Sequence, residues 1–337
     1  MKPKLLLLGH TGKLGQALNE AFCKSYAVTG LNRGDFDASA GDDRLIRRLD
    51  ELKPAVIVNA VVFTGLDACE REPARALAVN TLFPKTLAGY AGRTGCVLVH
   101  ISSEAVFPDA AAGQTFVESS APRPINIYGF TKFGADCFVS SEAPCHYIVR
   151  LPMLFGETVQ PTQFVEKMAA RILAGEPELK VATDCWTTPS YTRDLAAAVC
   201  AMLVSKKPFG LYHLTNAGEV SLYDLISELV KILQRDVRVL PVAHAAFTSL
   251  AVKNLRPILA SEKIPPLRPW PEALRAYGES LLKASAAPEV QPLPARLPTS
   301  LDEDLRAGNA VHPPATLARS DCGLGSAAGG LKKGRSP

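Results

Sequence analysis

Apolar residues run without a break through Leu5-Leu6-Leu7-Leu8 and stop at Gly9. A short apolar run closed by glycine is the pattern of a strand buried on both faces, so residues 4–8 are read as the first strand. From residue 13 to 24 the period changes. Leu14, Leu18 and Phe22 recur every four residues, which places them on one stripe of an amphipathic helix. Further strands are predicted at 27–31, 55–59, 96–101 and 146–150. Helical patterns lie between them, at 42–52 and over one long helix, 73–93, with Pro73 in its first turn. The alternation predicts an α/β fold: repeated βαβ units and a Rossmann-type doubly wound parallel sheet, covered by helices on both faces.

Beyond Arg150 the pattern loosens. Residues 164–174 and 222–234 read as helices, the second with Ser221 as N-cap. Loops rich in proline and threonine surround them. Residues 1–150 are therefore assigned to a dinucleotide-binding domain and 151–283 mainly to a smaller, discontinuous substrate lobe. Parts of 190–215 are expected to return to the sheet. From Ala284 to Pro337 the composition turns to Ala, Pro, Gly and Ser, too little apolar material to bury, and a disordered tail is expected.

Composition narrows the function classes. The chain has 337 residues, 47% of them hydrophobic and 21% charged, and a net charge of +4. With no basic tract, nucleic-acid binding is not expected. No stretch approaches the eighteen apolar residues a membrane span needs, and the run at Leu5 is too short for a signal peptide. A soluble, cytoplasmic protein is the expectation. The eight cysteines (Cys23, Cys69, Cys96, Cys137, Cys145, Cys185, Cys200 and Cys322) form no Cys-x-x-Cys pair, and are read as reduced, buried small hydrophobes rather than zinc ligands.

The candidate chemistry begins at Gly9-His10-Thr11-Gly12-Lys13-Leu14-Gly15. Following a strand and opening a helix, Gly9 allows a tight turn, Gly12 a close approach of backbone to a pyrophosphate, and Gly15 close helix packing. An ordinary strand–helix turn would use the same glycines. At the end of the second strand an acidic residue would select the ribose 2′-hydroxyl of NAD. The chain has Leu31-Asn32-Arg33-Gly34 instead, and Arg33 could pair with a 2′-phosphate. NADPH is the expected cofactor, with NADH as the alternative.

Tyr128 and Lys132 are one helical turn apart, so phenol and ammonium are expected as neighbours, the cation lowering the phenol pKa. The strand at 96–101 ends in Ser102-Ser103, at the carboxyl edge where open α/β sheets bind ligands. A Ser103 hydroxyl there could hold a carbonyl oxygen while Tyr128 protonates it. A packed aromatic and a loop cap are the structural alternatives. His10 and His100 are read as satisfied structural histidines, and Asp67, Glu70 and Glu72 as a solvated helix start rather than a metal site.

With these residues placed, the chain resembles the extended short-chain dehydrogenases/reductases, and within them the dTDP-4-dehydrorhamnose reductase family. The resemblance runs from about residue 4 to 282. It rests on the glycine turn, Val56-Ile57-Val58-Asn59-Ala60, Glu72-Pro73 with Val79-Asn80, and Ile101-Ser102-Ser103-Glu104-Ala105-Val106-Phe107. It continues through Pro124-Ile125-Asn126-Ile127-Tyr128-Gly129-Phe130-Thr131-Lys132 and Pro189-Ser190-Tyr191-Thr192-Arg193-Asp194-Leu195-Ala196. The resemblance implies that Gly12, Lys13 and Leu14 line the pyrophosphate and that Asp37 and Ala38 lie beside the adenine. It implies that Val62, Phe63 and Thr64 pass along the cofactor and that Ile101 lies under the nicotinamide. Tyr128 would then be the proton donor, Lys132 the ribose ligand that tunes it, and Ser103 the counterpart of a family threonine. Glu104 and Met153 would touch the sugar. Two departures concern that sugar: Ala105 stands where the family has tyrosine after the catalytic hydroxyl, and Met153 where it has tryptophan, so two aromatic stacking surfaces are gone.

The sequence thus reads as an NAD(P)H-dependent reductase of a 4-keto-6-deoxy sugar nucleotide, with a homodimer implied by the family alone. A reading of another class stays open. The regulatory β subunit of methionine adenosyltransferase is similar too, sharing Ile101-Ser102-Ser103 and the pattern of Arg150-Leu151-Pro152-Met153-Leu154. Such a protein would bind the dinucleotide without turnover. An epimerase with bound NAD is disfavoured by the missing acidic residue after the second strand.

Overall fold

In a computed structural model, residues 1–40, 43–158 and 163–286 are described. Six parallel strands form the central sheet: β1 (Lys4–Leu8), β2 (Ala27–Leu31), β3 (Val56–Asn59), β4 (Val97–Ser103), β5 (His146–Leu151) and β6 (Gly210–His213). They lie in the order β6-β5-β4-β3-β1-β2. Side chains alternate across the sheet. Leu5, Leu7, Val56, Val58, Val99, Tyr147 and Val149 enter one core, while Leu6, Leu8, Ile57, Leu98 and Ile148 enter another on the opposite face. The sheet is buried on both sides, which is why β1 reads as an unbroken apolar run. The Rossmann-type expectation holds.

The helices follow the same logic. α1 (Lys13–Phe22) and, much later in the chain, α8 (Thr192–Val204) cover the first face. α2 (Asp43–Leu52) reaches the second face with Leu45 and Leu49. A short helix α3 (Leu66–Arg71) precedes α4 (Pro73–Leu77), then a π-helical turn at Ala78–Leu82, then α5 (Phe83–Thr94). The expected single helix over 73–93 is therefore interrupted. At the widened turn Asn80 is fully buried, and it leaves its own helix to bond the backbone of Phe63 in both directions, at 2.8 and 3.0 Å. A long-range polar bond of this kind compensates for the altered helical turn. α6 (Ile127–Glu142) lies on the same face as α5.

α7 (Phe164–Leu173), α9 (Leu222–Leu233) and α10 (Trp270–Ala286) build a third core with Phe155, Tyr191, Leu225 and Tyr277, beside paired strands Glu178–Ala182 and Arg238–Val242. Ser221 is the N-cap of α9, its hydroxyl accepting from Asp224 N at 3.0 Å. α10 corrects one boundary: residues 284–286 belong to a helix, and the tail expected from 284 otherwise lies outside the described residues. Among the described residues no helix is long and apolar enough to cross a membrane. Of the described cysteines, all free, Cys69, Cys96 and Cys185 are buried, whereas Cys23 and Cys137 are exposed. The expectation of uniformly buried thiols fails because short apolar stretches in sequence also include the outer faces of helices.

Candidate active site

The glycine turn fills the gap between the carboxyl end of β1 and the start of α1. Gly9 has φ of 81°, and its N–H donates to the carbonyl of Leu31 at 2.8 Å, so the turn is fixed to β2. A Cβ on Gly15 would lie 2.1 Å from the carbonyl oxygen of Gly9. Any side chain there would push α1 off the turn. Gly12 is the N-cap and offers no side-chain acceptor, leaving the first backbone N–H groups of a ten-residue helix directed at the cleft. Such a helix start suits a phosphate. The residues fit a dinucleotide pyrophosphate.

Lys13 contributes to this turn through its backbone only. Its ammonium points away from the turn, donating to the Leu154 carbonyl at 2.8 Å and pairing with Glu166 of α7 at 2.7 Å. Glu166 also accepts from Gly156 N at 3.0 Å. His10 packs its ring against β2, where a Cβ on Gly30 would meet it at 2.5 Å. Its Nδ1 is buried without a hydrogen-bond partner among the described residues.

The carboxyl edges of β2 and β3 supply the flanks. Arg33 is exposed at the tip of a turn in which Asn32 accepts from Gly34 N and Asp35 accepts from Asn32 N. Asp37 accepts from both the N–H and the hydroxyl of Ser39, and Ala38 follows it, half-buried. After β3, Val62, Phe63 and Thr64 form a loop pinned by Asn80, and buried Asn59 accepts from Val61 N at 3.1 Å.

Ser103 ends β4, and its hydroxyl accepts from Ala105 N at 3.2 Å, starting the 3-10 turn Glu104–Val106. α6 is brought against that turn by three contacts. Asn126 caps the helix, accepting from Gly129 N at 2.8 Å. Glu70 of α3 accepts from Ile127 N at 2.9 Å. Gly129 allows the backbones to touch, since a Cβ on it would lie 2.0 Å from the Ala105 carbonyl oxygen. The result places the Tyr128 phenol in hydrogen-bond contact with the Ser103 hydroxyl. Lys132 is 2% exposed and donates from Nζ to the Ile101 carbonyl at 2.6 Å.

The electrostatics differ from the sequence-based expectation. Burial pushes the Tyr128 phenol up to about 12, and the hydrogen bond from Ser103 opposes it. Burial also lowers the Lys132 ammonium to about 8, with Asp136 opposing. The lowering of the tyrosine by its lysine neighbour is not realised, because the ammonium is turned to the Ile101 carbonyl and desolvation governs both groups. Glu104 is held well above the ordinary carboxylate range by burial, despite the Met153 backbone N–H facing it, and its Oε2 is buried without a hydrogen-bond partner among the described residues. His100 lies 3.3 Å from the Asn59 amide and is kept neutral by burial and by Lys132, but its Nε2 finds no hydrogen-bond partner among the described residues. The expectation that both histidines are satisfied fails.

Sequence reasoning also missed Asp136 and Arg150. Their side chains are each 4% exposed and meet at 3.0 Å behind Lys132. The spacing Lys132-x-x-x-Asp136 on one helix was the available signal. Of the acidic residues after β3, Glu72 is exposed at the start of α4 as expected, whereas Asp67 and Glu70 are structural acceptors. Asp67 receives Ala251 N and the Ser249 hydroxyl, and Glu70 holds the start of α6. No cluster that could hold a metal ion occurs among the described residues.

Comparison with known proteins shows the family of the chain. The family described as RmlD substrate binding domain matches residues 2–282. A dTDP-4-dehydrorhamnose reductase of Streptomyces griseus is 34% identical over 286 residues, covering 81% of this chain and 92% of that protein. The crystal structure of a dTDP-4-dehydrorhamnose reductase from Clostridium acetobutylicum superposes with a TM-score of 0.77 at 30% identity, over 83% of this chain and 99% of that one. One from Bacillus anthracis, solved in complex with NADP, gives 0.78 at 25% identity, over 83% and 100%.

Proposed function

Since this chain belongs to the RmlD substrate binding domain family, we propose that it is an NADPH-dependent reductase of a 4-keto-6-deoxy sugar nucleotide, with dTDP-4-dehydrorhamnose as the first substrate to test. NADH is the weaker alternative donor. The observation that carries the reading is the meeting of Ser103, Tyr128 and Lys132 at the carboxyl edge of β4. β4 lies two strands from β1 and its glycine turn, about 10 Å at the usual strand spacing. A dinucleotide with its pyrophosphate at the turn suits that separation.

When bound, the nicotinamide supplies the hydride. The chain's own residues do the rest. The Ser103 hydroxyl donates to the keto oxygen, and the Tyr128 O–H, beside it, delivers the proton as that oxygen gains charge. Lys132, its ammonium turned to the Ile101 carbonyl one helical turn from Tyr128, would hold the nicotinamide ribose as a charged donor. Burial holds Glu104 well above the ordinary carboxylate range, which weakens its tendency to carry a negative charge beside the developing alkoxide. The altered positions Ala105 and Met153 adjoin this edge, and they bear on which hexose fits.

The test is NADPH oxidation followed with dTDP-4-dehydrorhamnose, NADH being run in parallel. Turnover confirms a reductase. Tight NADPH binding without turnover on any 4-keto sugar nucleotide would favour the regulatory-subunit reading. A pH dependence follows from the same geometry. With Lys132 at about 8 and Tyr128 at about 12, turnover is expected to be level below pH 8 and to fall above it as Lys132 loses its proton. The Lys132→Met variant should be slow and should lack that limb. A fall unchanged in that variant would remove Lys132 from the assignment.

A further inference from the structure

β1 lies between β3 and β2, so the loops after β2 and β3 are the two lips of the cleft above Gly9. On the β2 lip, Arg33 stands at the tip of the Asn32–Asp35 turn, exposed and without a partner among the described residues. Asp37, on the same lip, is an exposed carboxylate held below its ordinary range by the Ser39 hydroxyl and N–H, and to a smaller extent by Arg75. Arg75 comes from α4, on the opposite lip. Its guanidinium carbon lies 4.8 Å above the ring centre of Phe63, and Nη1 is 3.1 Å from a Glu72 oxygen. The Phe63 ring supports the guanidinium, and Glu72 engages one of its donors. Four of the five N–H groups of an arginine remain for a ligand.

We propose that Arg75 is a second cofactor-specificity residue, which with Arg33 grips the 2′-phosphate of NADPH from the opposite lip and shields that phosphate from Asp37. The assignment rests on the NADPH-dependent reading above. Its physical reason is charge balance. Asp37, a carboxylate beside the adenine, would repel a 2′-phosphate on the neighbouring ribose. Arg75 is placed to offset that repulsion, since an arginine meets phosphate through paired, charge-assisted hydrogen bonds.

Equilibrium binding of NADPH and NADH, read by fluorescence titration on the full chain, tests the idea with Arg75→Ala and with Arg75→Ala combined with Asp37→Asn. The single variant is expected to weaken NADPH about tenfold or more, the range of a lost hydrogen bond to a charged group, and to change NADH less than about twofold. The double variant should regain several-fold in NADPH affinity, because the repelling carboxylate is gone. A structural role for Arg75 would weaken both dinucleotides alike. Equal losses, or none, would overturn the assignment while leaving the reductase reading intact. A wild-type chain that binds neither dinucleotide would overturn both.

Discussion

Replacing Tyr128 with phenylalanine is expected to lower turnover about a thousandfold while NADPH affinity stays within about twofold, since a positioned general acid contributes roughly 10² to 10⁴. The ring's packing is retained, so the loss isolates the hydroxyl. Ser103 and Lys132 remain in place in this variant: Ser103 is held by Ala105 N, and Lys132 by the Ile101 carbonyl. Neither can replace the missing proton. Ser103 can hold an oxygen, but its own acidity is too weak, and Lys132 is directed elsewhere. Single-turnover absorbance of the nicotinamide gives the rate, and fluorescence titration gives the affinity. A variant that keeps more than about a tenth of wild-type turnover would remove Tyr128 as the proton donor, and a Ser103-bound water would then have to be considered.

Asp136→Ala is expected to cost the fold about 3–5 kcal/mol, the usual penalty for stripping one partner from a buried ion pair. Arg150 and Lys132 are 3% and 2% exposed, and Asp136 is the anion facing both. Arg150 is otherwise held by the Phe107 ring, 5.0 Å away, which supplies far less than a carboxylate. The melting temperature should fall on the order of 10 °C, as thermal denaturation would show. Asp136→Asn keeps an acceptor for Arg150 and should lose less. The function should shift as well. Asp136 opposes the lowering of Lys132 by burial, so without it the lysine loses its proton at lower pH, and the falling limb of the pH profile should move down with it. Stability within about 1 kcal/mol of wild type would show that the pair is not the support for Lys132 argued above.

The fold was largely legible because its signals are local. β1 and β2 show the bounds expected from apolar runs, and α1 begins at the expected Lys13. The glycine turn was legible for a similar reason: Gly9 takes a positive φ, and Gly15 is held against the Gly9 carbonyl within seven residues of chain. Tyr128, Lys132 and Ser103 could be singled out by spacing and by position at the end of a strand. The π-helical turn at Ala78–Leu82 could not, since the partner of its buried Asn80 is Phe63, seventeen residues away. α10 was missed although Ala273, Leu274 and Tyr277 mark a stripe. Its neighbours are rich in proline, and the stripe gains meaning only against α9 and α7.

By itself, then, the sequence determined which segments are strands and helices, and which side chains could bind a dinucleotide and move a proton. Period, glycine and spacing are properties of neighbouring residues, and they act before the chain has folded. The tertiary structure alone decided how those side chains behave. It turned the Lys13 ammonium to Glu166 and the Lys132 ammonium to the Ile101 carbonyl, raised the Tyr128 phenol instead of lowering it, and set the Arg75 guanidinium over the Phe63 ring. Burial and charge pairing depend on which distant segments meet. Desolvation outweighs a favourable neighbour wherever the chain packs tightly around an ionisable group.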